Sequence, residues 1–272
     1  MKKIGFVDFY ISEWHANNYP KWIKEANEKL GLDFEVGYAW AEEYTSRLDG
    51  TTTDEWCEKF GVQKCDTLPE LCEKSDVILV LAPSNPEKHL EYAKTVLKYG
   101  KRTYIDKTFA PDLKEAEEIF ELSKKYNTPF FSSSALRYAD ELTELAASTE
   151  SIDITGGGSN PEEYIIHQIE MLVKCLGTGA GSLTLKKEDG KIFATVGYPD
   201  KRSATLTFGE ALPFTVKAKK CDGKELECEI ASPFFNNLIA DILNFYESGK
   251  LSFKSEETLE VMKLREQFVK AL

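Results

Sequence analysis

Lys107 is the residue whose placement first suggests chemistry. It stands in Tyr104-Ile-Asp-Lys-Thr-Phe-Ala-Pro111, directly after a short apolar run that reads as the end of a buried strand. In an open α/β sheet, ligands collect in the crevice beyond the carboxyl ends of the strands, so an ammonium there faces whatever the crevice binds. A surface lysine following a strand is the plain alternative. Only three histidines occur and no H-E-x-x-H, so no protein-ligated catalytic metal is expected. The six cysteines, at positions 57, 65, 72, 175, 221 and 228, include no C-x-x-C pair. That spacing speaks against a zinc knuckle or a dithiol redox centre and fits reduced thiols.

The elements that must position such a lysine follow from the apolar pattern. Ile4 to Val7 is a first strand, Tyr19 to Leu30 a helix, Phe34 to Trp40 a strand, and Asp54 to Phe60 and Leu68 to Cys72 short helices. Asp76 to Ala82 is a continuous apolar run of the kind buried on both faces of a parallel sheet. Pro86 to Tyr99 reads as a helix with Asn85 as N-cap and Gly100 closing it, followed by a strand at Arg102 to Ile105, a helix at Leu113 to Tyr126 and a strand at Pro129 to Ser132. Regular strand and helix alternation of this kind predicts a Rossmann-like, doubly wound parallel sheet over residues 1–135.

From about residue 136 the pattern changes. A strand from Ser151, a helix from Pro161 to Leu176, strands at 182–186, 192–196, 203–208, 214–219 and 225–230, and helices at 234–246 and 256–272 predict a smaller α+β domain over 136–272. Its sheet should be mainly antiparallel, because Asp189-Gly190 and Asp222-Gly223 are hairpin-turn signals. On the Pro161 to Leu176 helix, Ile165, Ile169, Leu172, Val173 and Leu176 share one face, and Glu163, His167, Glu170 and Lys174 share another. His167 reads as a solvated histidine on that spacing alone, and Glu163 as the N3 residue of a capping box behind Asn160.

Charge and hydropathy narrow the partners. The formal net charge is −12, with no local basic cluster, so a nucleic-acid backbone would be repelled. No run approaches the ~20 apolar residues of a membrane span. The start of the chain is interrupted by Asp8 too early for a signal peptide, so a cytoplasmic protein is expected.

Several of these segments, taken in order, resemble one family. Asp76 to Ala82 followed by Pro83, Asn85 and His89, then Gly100-Lys101, Tyr104 to Ala110 and Glu115-Ala116, are similar to the glucose-fructose oxidoreductase, inositol dehydrogenase and MocA (Gfo/Idh/MocA) family. Its members carry Thr-Pro-Asn at a strand end and Glu-Lys-Pro after the next strand, where this chain has Asp106-Lys107-Thr108. Pro83 and His89 also stand further apart than is usual in the family. A second match is Glu163, His167 and Leu176-Gly177.

The resemblance implies NAD or NADP as cofactor, with Asp8, Tyr10, Pro83, Asn85, Asp106 and Lys107 lining its site. It also implies a catalytic group of Lys107, Glu163 and His167 acting on a sugar, polyol or related hydroxylated molecule. In that group His167 moves the hydroxyl proton, since imidazole needs no retuning near neutral pH, while Lys107 favours negative charge on the reacting oxygen and a carboxylate orients the ring. The family's outer sheet face often forms dimers, so a homo-oligomer is compatible, although the shortened second half leaves that state open.

Two departures support a different class, a noncatalytic binding or regulatory protein. G-x-G-x-x-G is absent after the first strand, and Asp8, Tyr10 and Glu13 stand near the glycine positions, so two carboxylates would meet a diphosphate. The second strand ends Tyr38-Ala39-Trp40-Ala41, without the usual ribose-holding acid unless Glu42 takes that part.

Overall fold

A computed structural model describes residues 1–146 and 148–272. Two compact units emerge: Met1–Ser132 together with Leu238–Ser252, and Ser133–Asn237 together with Phe253–Leu272. The chain leaves the first unit after Ser132 and returns to it over Leu238–Ser252.

In the first unit, strands β1 (Lys2–Asp8), β2 (Phe34–Ala41), β3 (Gln63–Lys64), β4 (Val77–Val80), β5 (Thr103–Ile105) and β6 (Phe130–Phe131) lie in the order β3-β2-β1-β4-β5-β6. Every pairing is parallel. The order reverses between β1 and β4, which makes the crevice beyond their carboxyl ends the topological switch point. All four residues of β4 are buried, as its unbroken apolar run requires. Gly5 lets the sheet and its helices approach closely, since a Cβ there would run into Leu71 and Ser75.

The helices are α1 (Trp14–Leu30), α2 (Thr53–Phe60), α3 (Leu68–Lys74), α4 (His89–Val96) and α5 (Leu113–Tyr126). Two differ from the sequence reading by more than two residues. Helix α1 begins at Trp14 instead of Tyr19, because Glu13 caps it and Pro20 is tolerated inside. The segment read as one helix from Pro86 is a 3-10 turn (Pro86–Lys88), then α4, then a second 3-10 turn (Leu97–Tyr99). Asn85 precedes the first turn without a side-chain capping bond; its Nδ2 donates to Glu87 at 2.9 Å. The short β3 has too few residues to leave an alternating pattern.

The second unit contains α6 (Glu141–Ala146), which the sequence reading lacks, and α7 (Pro161–Leu176). Its strands are β7 (Thr149–Gly156), β8 (Leu183–Glu188), β9 (Lys191–Gly197), β10 (Ser203–Phe208), β11 (Thr215–Lys220) and β12 (Glu225–Glu229), in the order β12-β11-β7-β10-β9-β8. The sheet is antiparallel except for the parallel pair β7 and β10. Asp189 (φ 49°) and Gly190 (φ 72°) both occupy the left-handed region between β8 and β9, the geometry of a two-residue hairpin turn. Alternate residues of β10 are buried. Helix α7 packs against β7 and β10, and its apolar residues Ile165, Ile169 and Leu172 are fully buried.

Helix α8 (Phe234–Ser248) carries the chain back into the first unit, where its residues from Leu238 onward pack. There Tyr246 Oη donates to the Ile78 carbonyl at 2.6 Å and Phe245 meets Phe131 edge to face. Helix α9 (Ser255–Ala271) then packs on α7 in the second unit. Among the described residues no helix is long and apolar enough to cross a membrane.

Candidate functional site

In the first unit the crevice end of the sheet is acidic and closely bonded. Asp8, the last residue of β1, is buried; its Oδ1 accepts the amides of Phe9 at 2.7 Å and Ala82 at 3.1 Å. Burial, with Glu13 and then Asp106 nearby, holds the Asp8 carboxyl well above the usual carboxylate range. Glu13 caps α1: Oε2 accepts the His15 amide at 2.8 Å and Oε1 accepts the Ala16 amide. Tyr10 is half-buried, and burial raises its phenol.

At the end of β5, Asp106 is buried and its amide donates to the Val80 carbonyl at 2.9 Å, while Lys107 is half-buried. Pro83 is buried after β4, and Asn85 is half-buried. His89 packs as a structural residue, with Nδ1 3.0 Å from the Phe109 carbonyl and Nε2 2.6 Å from that of Leu81; burial lowers its pKa.

These residues decide how a dinucleotide could sit. The amides at the start of α1 are the natural seat of a diphosphate, because they and the helix dipole attract negative charge. Here the chain's own Glu13 carboxylate takes two of them. None of the positive-φ glycines falls between β1 and α1. The diphosphate mode of the glycine fingerprint therefore does not fit this unit. Glu42, directly after β2, offers a carboxylate at the ribose position, already bonded to Lys88 Nζ at 2.6 Å and Tyr92 Oη at 2.8 Å.

In the second unit α7 carries His167 and Glu163. Asn160 caps the helix through the Glu162 amide at 3.0 Å, so the capping bond goes to N2 and not to Glu163. His167 is half-buried; its Nδ1 lies 2.6 Å from Ser134 Oγ, and its ring packs edge to face on Tyr164 and Phe214. The Ser134 hydroxyl also accepts the Leu136 amide at 3.2 Å, so it is itself fixed. This bond holds the imidazole's orientation through one nitrogen. Sequence reasoning missed Ser134, which sits in a run of three serines with no spacing signal.

The polar face drawn through His167 and Glu170 is not a solvated one. Glu170 is buried, 3.4 Å from Arg137 Nη1, and Arg137 also pairs with Glu257. The 3-10 segment Ala135–Tyr138 and helix α9 supply these partners and cover that face. Burial pushes the Glu170 carboxyl up to about 7, with Arg137 opposing. In the unfolded chain the carboxyl returns to about 4.5 and loses its proton first as pH rises. The Glu170 contribution to stability is therefore full below pH ~4.5 and falls by about 3 kcal/mol up to pH ~7, at about 1.4 kcal/mol per unit. Urea midpoints at the two pH values should show a smaller drop for Glu170→Gln than for the wild type; an equal drop would refute the assignment.

The four buried thiols are not reactive centres. Burial pushes Cys57 and Cys65 up to about 11, and Cys72 and Cys175 up to about 12, far from the thiolate range at neutral pH.

Residues 45–134 match the family described as "Oxidoreductase family, NAD-binding Rossmann fold" (GFO_IDH_MocA). The Escherichia coli K12 "Uncharacterized oxidoreductase YhhX" is 40% identical over 57 residues, which is 21% of this chain and only 16% of that protein. UDP-N-acetylglucosamine 3-dehydrogenase GnnA from Acidithiobacillus ferrooxidans superposes with a TM-score of 0.79 at 10% identity, covering 100% of this chain and 97% of its own. Dehydrogenase MviM from Clostridium difficile superposes with a TM-score of 0.76 at 17% identity, covering 100% and 99%. At such identities the superpositions establish the two-part fold and no more.

Proposed function

We propose that the chain, whose residues 45–134 match the Gfo/Idh/MocA oxidoreductase family, oxidises or reduces a carbinol of a small hydroxylated molecule such as a sugar or polyol. The nucleotide partner in this reading is NAD or NADP, held away from the amides that Glu13 occupies. The observation that carries the reading is the 2.6 Å bond between Ser134 Oγ and His167 Nδ1. A half-buried imidazole fixed in this way can take the hydroxyl proton as the carbinol is oxidised, and return it in the reverse direction. Lys107, an ammonium at a strand's carboxyl end, favours negative charge on bound ligand. Glu163, one helical turn before His167 on α7, keeps negative charge near the imidazolium.

A second reading is favoured by one specific observation, the Glu13 carboxylate on the α1 amides. In it the scaffold binds a small polar ligand without a dinucleotide and without turnover. Thermal-shift titration with NADH and NADPH separates the two. A nucleotide at a hundred times its dissociation constant should add about 2.7 kcal/mol to stability. No response to either at millimolar concentration would end the oxidoreductase reading and leave the second.

A further inference from the structure

The first unit holds a second concentration of chemistry that neither His167 nor Lys107 uses. Asp8, Glu13, His15, Tyr19 and Asp106 gather at the carboxyl end of β1. The His15 ring lies between two carboxylates, with Nδ1 3.0 Å from Glu13 Oε2 and Nε2 3.7 Å from Asp106 Oδ2. Its ring packs edge to face on Tyr19, 5.5 Å between centroids. Asp106 Oδ1 accepts from Tyr104 Oη at 3.1 Å.

These bonds leave three oxygens over. Asp8 Oδ2, Asp106 Oδ2 and Tyr19 Oη are buried without a hydrogen-bond partner, on residues that are 1%, 1% and 0% exposed. They share one field, because the Asp106 charge raises both the Asp8 carboxyl and the Tyr19 phenol. Native interiors rarely keep even one such group unpaired, and two of these are carboxylate oxygens. The Tyr19 phenol and a protonated Asp8 can each give one hydrogen bond, yet neither reaches a partner.

The chemistry of the donor is constrained. Among the described residues no group of His, Cys, Asp and Glu is arranged to hold a metal ion. A phosphate has the wrong sign for three carboxylates around one imidazole. Lys107 follows Asp106 in the chain, yet Asp106 Oδ2 has no hydrogen-bond partner. A primary ammonium carries one positive charge and three N–H donors, one for each unpaired oxygen.

We propose that this cluster binds the protonated amino group of a small ligand, with Asp8 Oδ2, Asp106 Oδ2 and Tyr19 Oη accepting its three N–H bonds. His15 positions Asp106 from one side, and Glu13 keeps the α1 amides closed to anions. The unit thus presents a cation site where the fold elsewhere seats an anion.

Ethanolamine is the probe, with ethylene glycol as its neutral counterpart and sodium chloride at matched ionic strength as control. Calorimetry and thermal shift should show saturable stabilisation of the wild type by ethanolamine at up to tens of millimolar, and none by ethylene glycol. Asp8→Asn and Asp106→Asn keep the side-chain shape and remove a group that can turn anionic against a bound ammonium, so both should fold; each should weaken ethanolamine at least ~10-fold. His167→Ala should leave the response intact, which separates this site from the fate of the oxidoreductase reading. Equal responses to the two probes, no response to ethanolamine, or unweakened binding in both Asn variants would each overturn the proposal. In the second case the three oxygens hold buried water only.

Discussion

Arg137→Ala is expected to cost about 3–5 kcal/mol of folding stability, the range for removing one partner of a buried ion pair. Arg137 is 2% exposed, pairs with Glu170 and Glu257, and lies with its guanidinium 4.0 Å from the Phe253 ring centroid. Its loss leaves two carboxylates facing a cavity with no counter-charge, and Glu170 would answer by holding its proton to still higher pH. Denaturant unfolding at pH 7 measures the cost. Arg137→Met, which keeps the volume over Phe253, should recover part of it at pH 5, where Glu170 is protonated. A loss under about 1 kcal/mol, typical of an exposed ion pair, would mean that the triad is solvated.

His167→Ala is expected to lower turnover by ~10²- to 10⁴-fold, the usual worth of a positioned acid or base. Fold stability should change modestly, because the ring is half-buried and its loss removes the Ser134 bond and the edge packing on Tyr164 and Phe214. Affinity for NADH or NADPH should stay near the wild-type value. Steady-state kinetics on polyol substrates, set beside nucleotide titration, would check both. A variant with unchanged turnover would show that the proton moves through another group.

Much of this architecture is written in local patterns. The helix from Pro161 to Leu176 has the sequence-read bounds because Asn160, Pro161 and Gly177 mark its ends and its isoleucines recur at i and i+4. The β8 and β9 hairpin was legible in Asp189-Gly190, since a residue pair that tolerates positive φ specifies the turn. The parallel sheet was legible in the all-apolar run ending at Ala82.

What was not legible depends on partners far apart in the chain. Glu170 sits in a helix position that looks polar and becomes interior only because Arg137 and Glu257 arrive from elsewhere. Asp8, Tyr10 and Glu13 read as failed glycine positions, because the fingerprint describes only a turn open to phosphate. That a carboxylate could itself occupy the helix start, and that His15 would lie between Glu13 and Asp106, requires the sheet to bring β5 beside β4 and β4 beside β1. A carboxylate immediately before a helix, followed by a histidine two residues on, is the one local signal that could have found it.

The late return of the chain through Leu238–Ser252 sets a schedule for biosynthesis. Tyr246 caps the Ile78 carbonyl, and Arg102 Nη1 donates to the Tyr246 carbonyl at 2.5 Å, so the β4 and β5 side of the first sheet is closed by residues translated long after it. Until Leu238–Ser252 is made, that flank lacks the partners that cover it in the full chain. A fragment ending at Ser132 would lack these contacts and leave that flank exposed.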